Sequence, residues 1–234
     1  MELEINLKLP SLPRAARAAP SERVVRLAEM FGVGLDERHE LELYRGFRIT
    51  IRRGDVVYIT GPSGCGKSVL LCAIVDAIRA RLAAGGEPLS EDDPEGPVAE
   101  LQAVDLAGPE PVIDRFATDL DETLRLASVA GLNDAFLLLR PPGQLSDGQR
   151  YRYRLARLLA EGARTIVIDE FCSTLDRRTA RAVGYRVRKY ADRTGATFLV
   201  ATAHDDLADD LVPDVLVTKR SAGQVDLRST PAQP

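Results

Sequence analysis

Residues 61–68 read Gly-Pro-Ser-Gly-Cys-Gly-Lys-Ser and match the pattern G-x-x-x-x-G-K-[ST]. Glycines let the backbone N–H groups of such a loop converge on phosphate oxygens, and the helix that follows favours negative charge at its N-terminus. In this pattern Lys67 contacts the β- and γ-phosphates and the Ser68 hydroxyl is a Mg²⁺ ligand. The pattern therefore predicts a nucleotide phosphate site made of Gly61, Pro62, Ser63, Gly64, Cys65, Gly66, Lys67 and Ser68.

A pair of carboxylates follows a second apolar run. Residues 165–168 are Thr-Ile-Val-Ile, and Asp169 and Glu170 come directly after them. Asp169 could hold the Mg²⁺ shell, and Glu170 could orient or deprotonate an attacking water. An acidic pair after a strand can also cap a helix, so these two residues depend on the motifs around them for their interpretation.

The third motif is Leu-Ser-Asp-Gly-Gln at residues 145–149, just before a long helical pattern. Ser146 is an N-cap candidate and Gln149 stands three residues later, which is the spacing of a capping box. A capped helix N-terminus is also an anion site. The motif could therefore receive a phosphate presented from elsewhere.

Alternating strand and helix patterns position these motifs. A strand is predicted at residues 55–60, directly before the glycine loop, and a helix directly after it. Further strands are predicted at 165–168, 197–201 and 214–218, with a helix at 177–193 between the first two. This order favours an α/β fold with a mainly parallel sheet.

The remaining segments are less regular. Apolar residues alternate from Leu3 to Leu9 as in an edge strand, and a linker follows at 10–20. Ser21 can cap a helix that ends at Phe31 before Gly32. We expect this helix to pack on the domain, with a partner-docking arm as the alternative. Also predicted are strands at 41–51 and 99–106, an exposed loop at 85–97, short helices at 119–140, a helix at 149–161 and a frayed polar tail from 221.

Composition limits the classes of function. The chain has 234 residues, 28% of them charged, and a net charge of −4, so no overall positive field indicates obligate nucleic-acid binding. No stretch approaches the roughly 20 apolar residues of a membrane span, and residues 1–4 do not resemble a secretion signal. Three cysteines without metal-ligand spacing predict neither disulfides nor a zinc site. We expect a cytoplasmic protein, or one attached to a membrane through a partner.

Taken together, the motifs resemble those of the ABC-type ATPases over about residues 36–220. The signature LSGGQ of that family corresponds to Leu145–Gln149, a D-loop to Ser173–Asp176 and a switch histidine to His204. The resemblance implies a P-loop NTPase core with an antiparallel β edge and a small helical subdomain at about 110–160. It divides the chain into a strand and linker (1–20), the ATPase domain (21–220) and a polar tail (221–234).

The resemblance also implies a shared site in a head-to-tail homodimer. Residues 61–68 of one subunit would hold ATP and Mg²⁺, with Ser68 and Asp169 as metal ligands. Ser146, Gly148 and Gln149 of the other subunit would contact the γ-phosphate. Glu170 would be the catalytic base, His204 would hydrogen-bond the γ-phosphate, and Asp176 would couple the two sites.

Three positions depart from the family pattern. Asp147 replaces a glycine of the signature, so it either repels the phosphate or pairs with a basic residue such as Arg150. The glutamine expected at a strand end is matched only by Gln102, which lies within the predicted strand. No residue clearly stacks on adenine: Tyr44 is too close to the loop, and Arg38 and His39 lie nearer the expected place.

Three functions remain open at this point. The first is a soluble ATPase that drives a cytosolic partner. The residues within and around the motifs are most similar to those of soluble ABC ATPases associated with an acetyltransferase domain, which favours a partner that is acetyltransferase-like or modifies nucleic acid. The second is an ATP-binding subunit of a membrane transporter, and the third is a nucleotide sensor with little turnover. Glu170 favours hydrolysis over sensing. The absence of a heptad run between Lys67 and Ser146 excludes members with long coiled coils.

Overall fold

The computed structural model describes residues 1–10, 21–32, 40–84, 94, 97–221 and 224–229. Strands β1 (Glu2–Pro10) and β2 (Glu40–Thr50) pair antiparallel and form a separate two-stranded sheet. This sheet is the antiparallel edge expected from the sequence.

The main sheet has six strands. They are β3 (Val56–Thr60), β4 (Val98–Glu100), β5 (Thr165–Ile168), β6 (Thr197–Thr202), β7 (Val215–Ser221) and β8 (Gln224–Ser229). Their spatial order is β4-β5-β6-β3-β7-β8, and every pairing is parallel except that of β7 with β8. The carboxyl ends of the parallel strands therefore lie at one edge of the sheet, where ligands of such folds bind.

Seven α-helices occur in the described part of the chain. They are α1 (Glu22–Phe31), α2 (Lys67–Ala84), α3 (Leu120–Val129), α4 (Ala135–Leu138), α5 (Asp147–Ala160), α6 (Arg177–Thr194) and α7 (Ala208–Leu211). Short 3-10 helices add Leu101–Ala103, Val112–Arg115 and Pro142–Gln144. The helices between β4 and β5 form the small helical region that precedes the return to the sheet.

Strand alternation divides the core into two layers. In β3, Val56 and Tyr58 face the cluster that holds α5 and α6, whereas Val57 and Ile59 face the cluster that holds α2, β1 and β2. All five residues of β3 are buried, as expected for a central parallel strand covered on both faces. The strand that leads into the glycine loop is thus held from both sides.

Most predicted elements are present, and the α/β class with its mainly parallel sheet is confirmed. One strand is shorter than predicted: β4 ends at Glu100, and Leu101–Ala103 turns into a 3-10 helix. The prediction of a frayed tail is wrong for residues 224–229, because β8 pairs antiparallel with β7. The expected loop at 85–97 lies almost wholly outside the described residues, as do the linker at 11–20 and the candidates Arg38 and His39.

Helix α1 begins and ends as predicted but does not pack as predicted. The Ser21 side chain accepts from the Val24 backbone N–H, and Gly32 adopts φ +64° at the C-terminal end. None of the ten helical residues is buried, and Phe31 remains 75% exposed. The expectation of a packing helix is therefore not borne out by the described residues, because none of the apolar side chains of α1 is buried.

None of the helices described here is both long enough and apolar enough to cross a membrane.

Candidate functional site

The glycine loop connects β3 to α2, in the order that the sequence predicted. Gly61, Gly64 and Gly66 all have positive φ, at +145°, +76° and +98°. A Cβ on Gly61 would lie 2.2 Å from the Lys219 carbonyl oxygen, and one on Gly66 would lie 3.2 Å from Leu43 Cδ1. The loop therefore needs glycine for both its backbone conformation and its close packing.

Side chains below the loop hold it from the core side. The Tyr44 hydroxyl donates to the Gly66 carbonyl at 3.1 Å, and the tyrosine is only 1% exposed. Lys219 Nζ lies 3.9 Å from the centroid of the Tyr44 ring and donates to the Leu43 carbonyl. Burial raises the pKa of Tyr44 and lowers that of Lys219. Tyr44 is thus a support of the loop and does not present its ring for stacking on a base.

Lys67 is the first residue of α2, and its Nζ donates to the carbonyl oxygens of Gly61 and Pro62, both at 2.8 Å. These two hydrogen bonds hold the ammonium over the loop. An ammonium in that place can exchange a carbonyl for a phosphate oxygen, which is a stronger, charge-assisted acceptor.

A cavity of about 380 Å³ opens beside the loop. Its walls come from the loop and α2, from the segment after β5, and from the segment after β6. It brings together Lys67, Ser68, Asp169, Glu170 and His204, which are far apart in the sequence. The remaining lining residues are Leu43, Ser63, Gly64, Gly66, Val69, Ser173, Thr202 and Ala203.

The residues at this cavity suit a nucleotide phosphate chain and Mg²⁺. Ser68 offers a hydroxyl and Asp169 a carboxylate on the same cavity. In the described residues no group of three or more His, Cys, Asp or Glu forms a complete metal cage. Mg²⁺ in phosphate-loop sites is held by one or two protein groups together with substrate phosphates, so this donor set fits it.

Glu170 begins a tight turn with unusual backbone angles. Glu170 and Cys172 have φ of +54° and +58°, which non-glycine residues seldom adopt. The Glu170 N–H donates to Asp169 Oδ1 at 2.9 Å, and the Phe171 N–H donates to the Ala201 carbonyl at 2.7 Å. The turn fixes the direction in which the Glu170 carboxylate leaves the sheet.

His204 follows β6 and is anchored through its main chain. Its carbonyl accepts from the Tyr58 hydroxyl and, at 3.2 Å, from Thr60 Oγ1. Its N–H donates to Thr202 Oγ1 at 3.2 Å. Tyr58 and Thr60 could not be predicted as supports of this histidine, because the contacts join residues about 145 positions apart and leave no local pattern in the sequence.

Gln102 lies closer to the site than the sequence indicated. Since β4 ends at Glu100, Gln102 stands just beyond a strand end, and its Nε2 donates to the Asp169 carbonyl at 3.2 Å. The apolar pattern of residues 99–106 concealed this boundary. Gln102 therefore contacts the main chain of the segment that carries Asp169 and Glu170.

The signature residues lie apart from this cavity. Ser146 and Gln149 form the predicted capping box: Ser146 Oγ accepts from the Gln149 N–H at 3.4 Å, and Gln149 Oε1 accepts from the Ser146 N–H at 2.9 Å. Leu145 is buried, but Ser146 and Asp147 are exposed, and none of residues 145–149 lines the cavity. The N-terminus of α5 therefore lies outside the cavity that the phosphate loop of its own chain borders.

Asp147 has the basic partner that the sequence suggested. Arg150 Nη1 lies 3.3 Å from Asp147 Oδ1, and Arg150 Nη2 donates to the Gly143 carbonyl at 3.0 Å. The Asp147 side chain is 85% exposed. The extra carboxylate of the signature is thus paired in the free subunit.

Asp176 also lies outside the cavity. It is the N-cap of α6 and accepts from the Thr179 N–H at 3.1 Å and from the Thr179 hydroxyl at 2.6 Å. These hydrogen bonds from Thr179 lower the pKa of the Asp176 carboxyl. Its role in coupling two sites stays a prediction.

Comparison with known proteins identifies related chains. A family model described as ABC transporter matches residues 44–173. An uncharacterized ABC transporter ATP-binding protein of Methanocaldococcus jannaschii is 28% identical over 180 residues, covering 68% of this chain and 62% of its own length. The sn-glycerol-3-phosphate import ATP-binding protein UgpC of Chromohalobacter salexigens is 30% identical over 214 residues, covering 85% of this chain and 55% of its own length.

The fold has a solved counterpart. A dimeric ATP-binding cassette in a post-hydrolysis state, bound to ADP and Pi, superposes with a TM-score of 0.61 at 19% identity. The match covers 84% of this chain and 94% of that structure, which establishes a common fold. This chain itself spans little more than half the length of the two curated relatives.

Proposed function

The chain belongs to the ABC transporter family, and from that premise we propose that it binds Mg-ATP and hydrolyses it between two head-to-tail copies. ATP hydrolysis is the activity of the cassettes of this family. One observation carries the proposal: a single cavity gathers Lys67, Asp169, Glu170 and His204, while Ser146 lies outside it. In this proposal the signature contacts the nucleotide that another copy holds.

Each residue at the cavity has a role that its chemistry supports. Lys67 and the loop N–H groups bind and orient the phosphates. Glu170, held at the end of β5, takes a proton from the attacking water or orients it. His204 donates a hydrogen bond to the γ-phosphate from a main chain that Tyr58 and Thr60 fix. When bound, Mg²⁺ supplies charge neutralisation for the phosphate oxygens, and Ser68 and Asp169 would hold it.

Membrane subunits are the favoured partner. The two curated relatives named above are described as transporter or import ATP-binding proteins, and neither description mentions an acetyltransferase domain. Gln102 stands just beyond the end of β4 and donates to the Asp169 carbonyl, so a glutamine is present at a strand end beside the site, as the family pattern requires. We therefore favour membrane subunits over the acetyltransferase-like or nucleic-acid-modifying partner that the sequence motifs suggested.

Apolar side chains exposed on the helical region offer a surface for that partner. Leu120 and Leu124 stand one turn apart on α3, and Phe136 and Leu139 belong to α4 and its end, with exposures from 43% to 74%. Leu120 and Leu124 form an exposed apolar strip on α3, and exposed apolar surface of this kind is a basis for a protein interface. Crosslinking of the ATP-bound form in membrane and soluble fractions would separate a transporter partner from a cytosolic one.

The activity itself is tested by phosphate release. We expect the chain to release phosphate from ATP in the presence of Mg²⁺, and Lys67→Ala to abolish both nucleotide binding and release. Thermal unfolding without nucleotide should be nearly unchanged in this variant, because Lys67 Nζ bonds only to two loop carbonyls in the described structure. A chain that binds ATP but releases no phosphate would instead support the nucleotide sensor.

A further inference from the structure

We propose that Tyr151 is a positioning residue, whose hydroxyl ties the signature helix α5 to the turn that carries Glu170. This role rests on the proposed function: it would let the signature of a chain, which contacts the partner's nucleotide, influence the position of Glu170 at that chain's own nucleotide. Tyr151 is a buried residue of α5 and does not line the cavity.

The hydroxyl makes two contacts with one residue. It accepts a hydrogen bond from the Cys172 backbone N–H at 3.0 Å and lies 3.7 Å from Cys172 Sγ. Tyr151 is 7% exposed and Cys172 is fully buried, so water does not compete for either group. Removing the hydroxyl would leave the Cys172 N–H without this partner in the interior.

The held residue is strained. Cys172, two residues after Glu170, has φ +58°, and Glu170 itself has φ +54°. Among the described residues only Val212 shares a positive φ without being glycine. Such a backbone persists only where surrounding contacts impose it, and strained turns of this kind occur at functional sites. The Tyr151 hydroxyl is one of the contacts that impose it.

Both groups keep their protons over the physiological range. Burial raises the pKa of Tyr151 well above its ordinary value. Burial likewise raises the pKa of the Cys172 thiol to about 12. The hydroxyl can therefore donate towards Sγ while it accepts from the backbone, and the link does not switch with pH.

A second contact joins the same two elements. A Cβ on Gly148 would lie 3.2 Å from the Thr174 carbonyl oxygen and 3.4 Å from Leu175 Cδ2, so the first turn of α5 lies against the residues that follow the Glu170 turn. Close-packed interiors have low compressibility and transmit strain, so a displacement of α5 is passed on to the residues that it contacts. When Ser146 and Gly148 bind the nucleotide of the partner copy, a shift of α5 would be transmitted to the Glu170 turn at two places. These are the contact of Gly148 with Thr174 and the hydrogen bond between Tyr151 and Cys172.

The test is Tyr151→Phe, with Tyr190→Phe as the matched control. Tyr190 also has a buried hydroxyl, which donates to the Leu159 carbonyl at 3.3 Å, but it lies on α6 away from the cavity. We expect Tyr151→Phe to lower kcat about tenfold with KM changed less than about twofold, since binding groups stay in place while Glu170 loses its orientation. Tyr190→Phe should retain the kcat of the unmodified chain.

A readout independent of activity is the alkylation of Cys172, followed by peptide mass mapping with the exposed Cys72 as internal reference. We expect Tyr151→Phe to expose Cys172 to the reagent and Tyr190→Phe to leave it protected. Unchanged protection of Cys172 in Tyr151→Phe would overturn the inference, as would equal effects of the two variants on kcat. Failure of the proposed function shows separately, as absence of hydrolysis by the unmodified chain.

Discussion

Asp147 is the residue at which this signature differs from its family pattern, and its charge is balanced locally by Arg150. The pair is largely exposed, so its contribution to folding is small, about 0–1 kcal/mol. The ion pair matters more for a nearby phosphate, because it changes the net charge that the phosphate meets. An unpaired carboxylate at the N-terminus of α5 would repel a γ-phosphate, whereas the paired one presents little net charge.

Because Arg150 balances the charge of Asp147, substitutions at these two positions should have coupled effects on dimerisation. Arg150→Gln should weaken ATP-dependent dimerisation about fivefold, because a unit charge a few ångströms away in water is worth about 1 kcal/mol. Asp147→Gly in addition should restore dimerisation, since it removes the repulsive carboxylate. Dimer dissociation constants of both single variants and the double variant measure the coupling. Additive effects would contradict the role given to the pair.

At the scale of elements, α5 has a capped N-terminus that serves folding and is also available to a ligand. The Ser146 hydroxyl accepts from the Gln149 N–H, while its exposed location leaves it open to a second molecule. Stability and nucleotide contact can be separated, because aspartate caps a helix about as well as serine but carries a negative charge.

We therefore expect Ser146→Asp to unfold at nearly the same temperature as the unmodified chain but to lose ATP-dependent dimerisation. Ser146→Ala should lower stability by about 1 kcal/mol through loss of the cap. Thermal unfolding and sedimentation of the two variants give the comparison. If Ser146→Asp dimerised normally with Mg-ATP, the N-terminus of α5 would not face a phosphate.

The elements themselves were largely predictable where local signals are strong. Ser21 and Gly32 mark the ends of α1, and the glycine loop separates β3 from α2 as its motif requires. The predictions that were wrong concern features that depend on tertiary contacts. The packing of α1 and the pairing of β8 with β7 cannot be deduced from amphipathic or polar composition, and the apolar run after Val98 does not reveal where β4 ends.

At the scale of the whole molecule, the sheet brings distant segments to one cavity and leaves the signature outside it. Motif identity predicted Lys67, Asp169, Glu170 and His204, which indeed line one cavity. The supports were not predictable, because Tyr44, Tyr58 and Tyr151 contact main-chain atoms of residues 21 to 146 positions away. Under the proposed function, the phosphate loop and the signature would belong to two different composite sites, so that two copies per functional unit stay a prediction.

Sedimentation of Glu170→Gln with and without Mg-ATP tests this claim most directly. The substitution removes the base but keeps the size and shape of the side chain and one of its acceptor oxygens, so ATP should remain intact and hold two copies together. We expect monomers without nucleotide and a stable dimer at saturating Mg-ATP. A Glu170→Gln chain that binds ATP and nevertheless sediments as a monomer would contradict the shared site.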